Sequence, residues 1–105
     1  MNGQLYILDG KTPVLELDVA KWGKWLEKAN HRVGLNWVGE IRISTVFLGI
    51  DHDFRFKGDP LLFDTRIHGS EKFENFQERY STWEEAEKGH QQAVAMVEKA
   101  IGWDV

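Results

Sequence analysis

Asp51-His52-Asp53 is the stretch of this chain whose residue types come nearest to chemistry. Carboxylates flanking an imidazole can bind a metal ion or relay protons, because histidine titrates near neutral pH and both groups ligate divalent metals. Adjacent residues on an extended chain point in different directions, so a metal held here needs ligands from elsewhere. Three readings stay open: a polar strand end entering a loop, a metal or acid–base site, and a ligand-contacting site. The next segment, Phe54-Arg55-Phe56-Lys57-Gly58-Asp59, interleaves aromatic rings with cations. Rings stack on nucleobases and cations hold phosphates, so Phe54, Arg55, Phe56 and Lys57 form a candidate nucleotide or partner surface. The plainer alternative folds the rings onto the core and leaves the cations in water.

Further candidates lie on regular elements. Asp64, Arg66 and His68 alternate along one strand and therefore share a face. Uncovered, they line a solvated surface; if the protein associates there, Arg66 belongs to a polar contact patch. His90 falls on an apolar helical stripe and reads as a buried, hydrogen-bonded core residue. Trp22 and Trp25 lie three apart on a helix and are neighbours. Trp22 sits on the apolar stripe, whereas Trp25 reads as an exposed anchor for a partner. Ser-His-Asp spacing, a phosphate loop and a zinc motif are all missing. The chain has no Cys, which removes disulfides, thiolate metal sites and thiol catalysis. No catalytic residue, no metal ligand and no cofactor is assigned from the sequence.

The elements that must position these residues follow from hydrophobic periodicity. Leu5 to Leu8 reads as a first strand ended by Asp9-Gly10, and Pro13, after the turn-like Asp9-Gly10-Lys11-Thr12, falls where a break is expected. Asp18 reads as an N-cap, with Leu17 and Trp22 suited to a hydrophobic staple. Val19, Trp22, Leu26 and Ala29 give that helix one apolar face, and Asn30 can close it. From Arg32 to Trp37 the period changes to two. Gly39-Glu40 is a turn, and Ile41 to Asp51 is the strongest strand, apolar on both faces and so expected to be covered on both, at least in its second half. Leu61 to His68 alternates cleanly, and Phe73 to Tyr80 is a weaker strand. Ser81-Thr82-Trp83-Glu84 has the form of a capping box. It opens a long helix expected from Thr82 to Ile101, striped by Trp83, Ala86, His90, Val94, Val97 and Ile101. The order is β-α-β-β-β-β-α. The expected fold class is α+β: an antiparallel sheet of four to five strands packed by two helices, the C-terminal one long.

Composition sets the context. The 105 residues fit a single domain spanning 1–105, and 42% hydrophobic with 29% charged residues is a globular balance. Net charge is −4, and Lys and Arg are scattered along the chain, which disfavours nonspecific nucleic-acid binding and excludes duplex nucleic acid from the expected partners. Val46 to Ile50, the longest apolar run, is too short to span a membrane, and Met1 to Gln4 does not resemble the start of a signal peptide. Lack of Cys fits a reducing compartment, so the expected location is cytoplasmic.

Two longer stretches carry a resemblance. Ser44-Thr45-Val46-Phe47-Leu48-Gly49-Ile50-Asp51-His52-Asp53-Phe54 resembles the central motif of a family of small bacteriophage and prophage proteins, and Pro60-Leu61-Leu62-Phe63-Asp64-Thr65 its next block, where Glu is more usual than Asp at position 64. Tyr80-Ser81-Thr82-Trp83-Glu84-Glu85-Ala86-Glu87-Lys88-Gly89-His90 is similar to the C-terminal block. With Leu5 to Val14 the similarity covers most of the chain. The resemblance implies a phage accessory protein made in the host cytoplasm and carries no catalytic residues across. The expected function is non-enzymatic binding, for instance counter-defence by engaging a host protein or sequestering a small nucleotide, with self-association into a homo-oligomer. The alternatives are a small enzyme or metal-binding protein using Asp51 and His52, and a virion structural or regulatory component.

Overall fold

A computed structural model describes residues 3–51 and 58–102; His52, Phe54, Arg55, Phe56 and Lys57 lie outside the described residues. Elements follow in chain order as β1 (Tyr6–Asp9), β2 (Thr12–Leu15), α1 (Val19–Lys28), β3 (Arg32–Val38), β4 (Ile41–Phe47), β5 (Phe63–His68), β6 (Gln77–Tyr80) and α2 (Trp83–Ala100), with one 3-10 turn at Glu71–Phe73. Strands β3, β4, β5 and β6 form an antiparallel meander in that order, and β1 with β2 forms a separate two-stranded hairpin. The fold is thus α+β with antiparallel sheets and a long C-terminal helix. No helix among the described residues is long and apolar enough to cross a membrane.

The meander arises from the period-two pattern. On one face of it, hereafter the inner face, lie Ile43, Thr45 and Phe47 of β4 and Phe63, Thr65 and Ile67 of β5, all buried. Helix α2 packs against all four strands and covers this face. Its stripe meets the sheet in two clusters. Ala93 and Val97 join Val38, Ile43 and Ile67, while Ala86 joins Phe47, Leu62 and Phe63. The helix starts where its capping box forms. Thr82 Oγ1 accepts from Glu85 N at 3.1 Å, and Glu85 Oε1 accepts from Thr82 N at 3.1 Å and from Ser81 N at 3.3 Å. The box therefore lies one residue later than the Ser81–Glu84 pairing expected from the sequence. Two hydroxyls precede two glutamates here, and only with Thr82 as cap does one carboxylate serve two backbone donors.

Four local expectations are corrected. Thr12–Leu15 forms a strand that the sequence reading left as a break at Pro13. Asp9-Gly10-Lys11-Thr12 is a tight hairpin turn, and Pro13, opposite Leu8, sits in a strand with one free edge, where a missing N–H costs nothing. The first strand consequently belongs to this hairpin and not to the main sheet. Strand β4 stops at Phe47 instead of reaching Asp51: Leu48 N still donates to Leu62 O, but Gly49 takes positive φ and Ile50 pairs with Leu5 of the hairpin segment. The outer face of β4 (Arg42, Ser44 and Val46) is only half-buried, so covering on both sides is not found.

Helix α1 is capped as read, with Asp18 Oδ1 accepting from Ala20 N at 2.9 Å and Lys21 N at 3.2 Å. The staple is not made, because Leu17 is 85% exposed. Trp22 instead donates its indole N–H to Gly49 O at 3.0 Å, tying α1 to the bend after β4. Ala29, not Asn30, is the C-cap; Asn30 accepts from Arg32 N through its side chain and turns the chain into β3.

Candidate functional site

Two sets of polar side chains stand out, one on each face of the sheet. The inner set is a chain of hydrogen bonds through the core. Thr65 Oγ1 and Thr45 Oγ1 lie 2.6 Å apart, Thr45 Oγ1 and His90 Nδ1 2.7 Å, and His90 Nε2 and Asn36 Oδ1 2.7 Å. Asn36 Oδ1 can only accept, so the imidazole carries its proton on Nε2. Nδ1 then accepts from the Thr45 hydroxyl, whose oxygen accepts from Thr65. Every donor in the line has an acceptor with His90 neutral, and burial holds its proton affinity below the ordinary value. His90 is thus the buried, hydrogen-bonded histidine that its place on the apolar stripe indicates. Close approach makes this geometry attainable. A Cβ at Gly34 would stand 2.8 Å from the His90 ring, and one at Gly89 would collide with the Tyr80 hydroxyl. Above the chain, between β3 and α2, opens a cleft of about 470 Å³ bordered by Gly34, Asn36, Glu87, His90 and Gln91.

The outer set is assembled by strand register. Cross-strand partners share a face, so the pairings place three rows across the meander. Trp37, Arg42 and His68 form the first row; Leu35, Ser44, Arg66 and Gln77 the second; Arg32, Val46, Asp64 and Arg79 the third. Trp37 is 62% exposed and Leu35 38%. Arg32, Arg66, His68 and Gln77 are exposed, whereas Arg42 and Arg79 are half-buried. Asp64 is 5% exposed, and its Oδ2 accepts from Arg66 Nε and from Gln77 Nε2, each at 3.2 Å. It holds both longer side chains in place, and its Oδ1 has no hydrogen-bond partner among the described residues.

The residues singled out in the sequence distribute as follows. Asp51 ends the bend after β4; its Oδ1 accepts from Leu61 N at 3.0 Å and its N–H donates to Gln4 O at 3.1 Å, so it fastens the chain on both sides of the following segment. His52 and the residues Phe54 to Lys57 fall outside the described residues. Trp25 is half-buried and meets the Phe47 ring edge-on, centroids 5.7 Å apart, so it seals the end of the core rather than standing out as an anchor. Arg66 takes its place in the outer grid with Asp64 and His68, on the face they were expected to share. Sequence reasoning passed over Trp37, Arg42 and Arg79. The alternation of Arg32 to Trp37 contained the signal for Trp37, but which arginines face it depends on strand register. Among the described residues, no group of three or more His, Asp or Glu side chains gathers to hold a metal ion. No known protein family, curated protein or solved structure matches the chain.

Proposed function

We propose that this chain is a non-enzymatic binding protein of phage or prophage origin, working in the host cytoplasm on a host protein or a nucleotide through the outer face of its sheet. One observation carries the choice of surface: Trp37, 62% exposed, stands beside arginines on a sheet whose opposite face is filled by α2. Large exposed aromatics next to arginine are the composition of interaction hot spots. Among the described residues, the groups that a catalytic reading would use are already engaged, and His52 lies outside them. Both His90 nitrogens have partners, and the Asp51 carboxylate is tied to the Leu61 N–H. That supports binding over a small enzyme built on Asp51 and His52.

The test is native mass spectrometry of the protein purified from bacterial host cells, with identification of what travels with it. Wild type is expected to carry a discrete protein or nucleotide, with or without self-association, and a Trp37→Ala/Arg66→Ala variant to lose it. Wild type emerging bare, or the variant keeping the same cargo, refutes the reading.

A further inference from the structure

Four of the five arginines in the chain, Arg32, Arg42, Arg66 and Arg79, lie on the outer face of the meander. The fifth, Arg55, is outside the described residues. Asp64 is the one carboxylate in the three rows, which contain no lysine. The opposite side is acidic in character: α2 carries Glu84, Glu85, Glu87 and Glu98 against Lys88 and Lys99. A chain of net charge −4 has thus sorted its four described arginines onto one face. Arginine offers a planar fork of donors that matches phosphate, and it stacks on aromatic planes as well.

We infer that this face binds single-stranded nucleic acid, with bases stacking on Trp37 and the phosphates running over Arg42, Arg66 and the flanking arginines. The inference rests on the outer face being the binding surface and names what occupies it. Four features select this occupant. The charge of the face complements a polyanion and opposes the rest of the molecule. Trp37 presents a ring that can stack on any base, and an open antiparallel sheet carrying such a ring is a known way of displaying one. Bases in a duplex are already stacked on each other and cannot offer their faces to it. The grid extends about 14 Å across the strands and about 13 Å along them, which suits a run of nucleotides better than a free mononucleotide, whose usual site is a concave pocket.

Asp64 contributes by orienting its neighbour: its Oδ2 fixes the Arg66 Nε, leaving the terminal guanidinium nitrogens for phosphate.

The experiment is fluorescence anisotropy with fluorescein-labelled ten-nucleotide probes, oligo(U) and oligo(dT), against a duplex of the same length, over a salt series. Saturable binding to the single strands is expected at about 50 mM salt, weakening as salt rises because phosphate contacts release counterions. The duplex is expected to bind at least tenfold more weakly, and Trp37→Ala to cost about tenfold, the size of one lost base stack. Arg66→Ala is expected to lower the salt slope by about 0.7, the single-strand value for one phosphate. Arg66→Lys keeps the charge and serves if the alanine variant folds poorly; it should retain the slope while losing affinity. Comparison of the two probes separates RNA from DNA. Absence of single-strand binding, equal binding of duplex, or indifference to Trp37→Ala overturns the inference. If the oligonucleotides do not bind but the Trp37→Ala/Arg66→Ala variant still sheds a host protein, the face is the binding surface and its occupant is not nucleic acid. If that variant changes neither assay, both readings fall.

Discussion

His90 shows how much one side chain can organise. It spans from the sheet to the solvent-facing edge of β3, and its neutral form completes a donor chain through Thr45 and Thr65. Burial depresses its proton affinity, while the unfolded chain binds that proton near the ordinary value of 6.5. The unfolded state therefore takes up the proton first. The stability contributed by His90 is complete above about pH 6.5 and is lost as pH falls towards the lower folded value. Thermal unfolding from pH 7 to pH 5 should show a falling midpoint, with a shallower slope in His90→Gln, whose neutral amide has no proton to gain. An equal slope in the two proteins contradicts a buried neutral imidazole. Thr45→Val should cost about 1–3 kcal/mol by leaving Nδ1 without a donor, and Thr45→Ser should recover most of it. Gly34→Ala pushes a methyl against the ring, and overpacking of this kind costs typically about 1–3 kcal/mol. In a domain of this size each kcal/mol is worth about 4–8 °C in melting temperature, so differential scanning calorimetry reads both. That His90 lies in the core was legible from its place on the stripe. Its partners were not, since Thr45 and Asn36 are brought to it by strand register.

At the scale of elements, the long helix and the meander were readable because period 3.6 and period 2 each ran uninterrupted for several residues. Boundaries were less so. The capping box shifted by one residue, since Ser81-Thr82 and Glu84-Glu85 offer two frames and only backbone geometry chooses between them. Thr82→Ala should therefore destabilise by about 1 kcal/mol, whereas Ser81→Ala should do so by much less. Equal effects would place the cap on Ser81 instead. Strand β2 went unread because Pro13 signals a break, and a proline is compatible with a strand only when the N–H it lacks would face solvent. Helix α1 was read with Val19 in its apolar face, yet Val19 is 66% exposed and Trp25 takes the inward place against Phe47. Gly23 and the two tryptophans blur the stripe, so its rotation is set by what α1 meets, the hairpin strand β1, rather than by its own sequence.

For the molecule as a whole, the sidedness of charge is what the linear sequence conceals. Arg32, Arg42, Arg66 and Arg79 are 10 to 24 residues apart along the chain and look scattered, but antiparallel pairing gathers them onto one face with Trp37. The stretch that drew most attention in the sequence, Asp51 to Lys57, is contiguous, and only Arg66 among the outer-face arginines was singled out, because contiguity and period are all that a chain displays before it folds. A working surface on the outer face implies that its side chains do little for stability. Exposed positions of this kind change stability by about 0.5 kcal/mol or less when substituted. The most direct check is to measure, on one preparation of the Trp37→Ala variant, both its melting temperature and its complement of bound partner. The expected result is a melting temperature within a few degrees of wild type and a lost partner. A variant that melts far lower, or that keeps its partner at full occupancy, contradicts an open outer face that exists to bind.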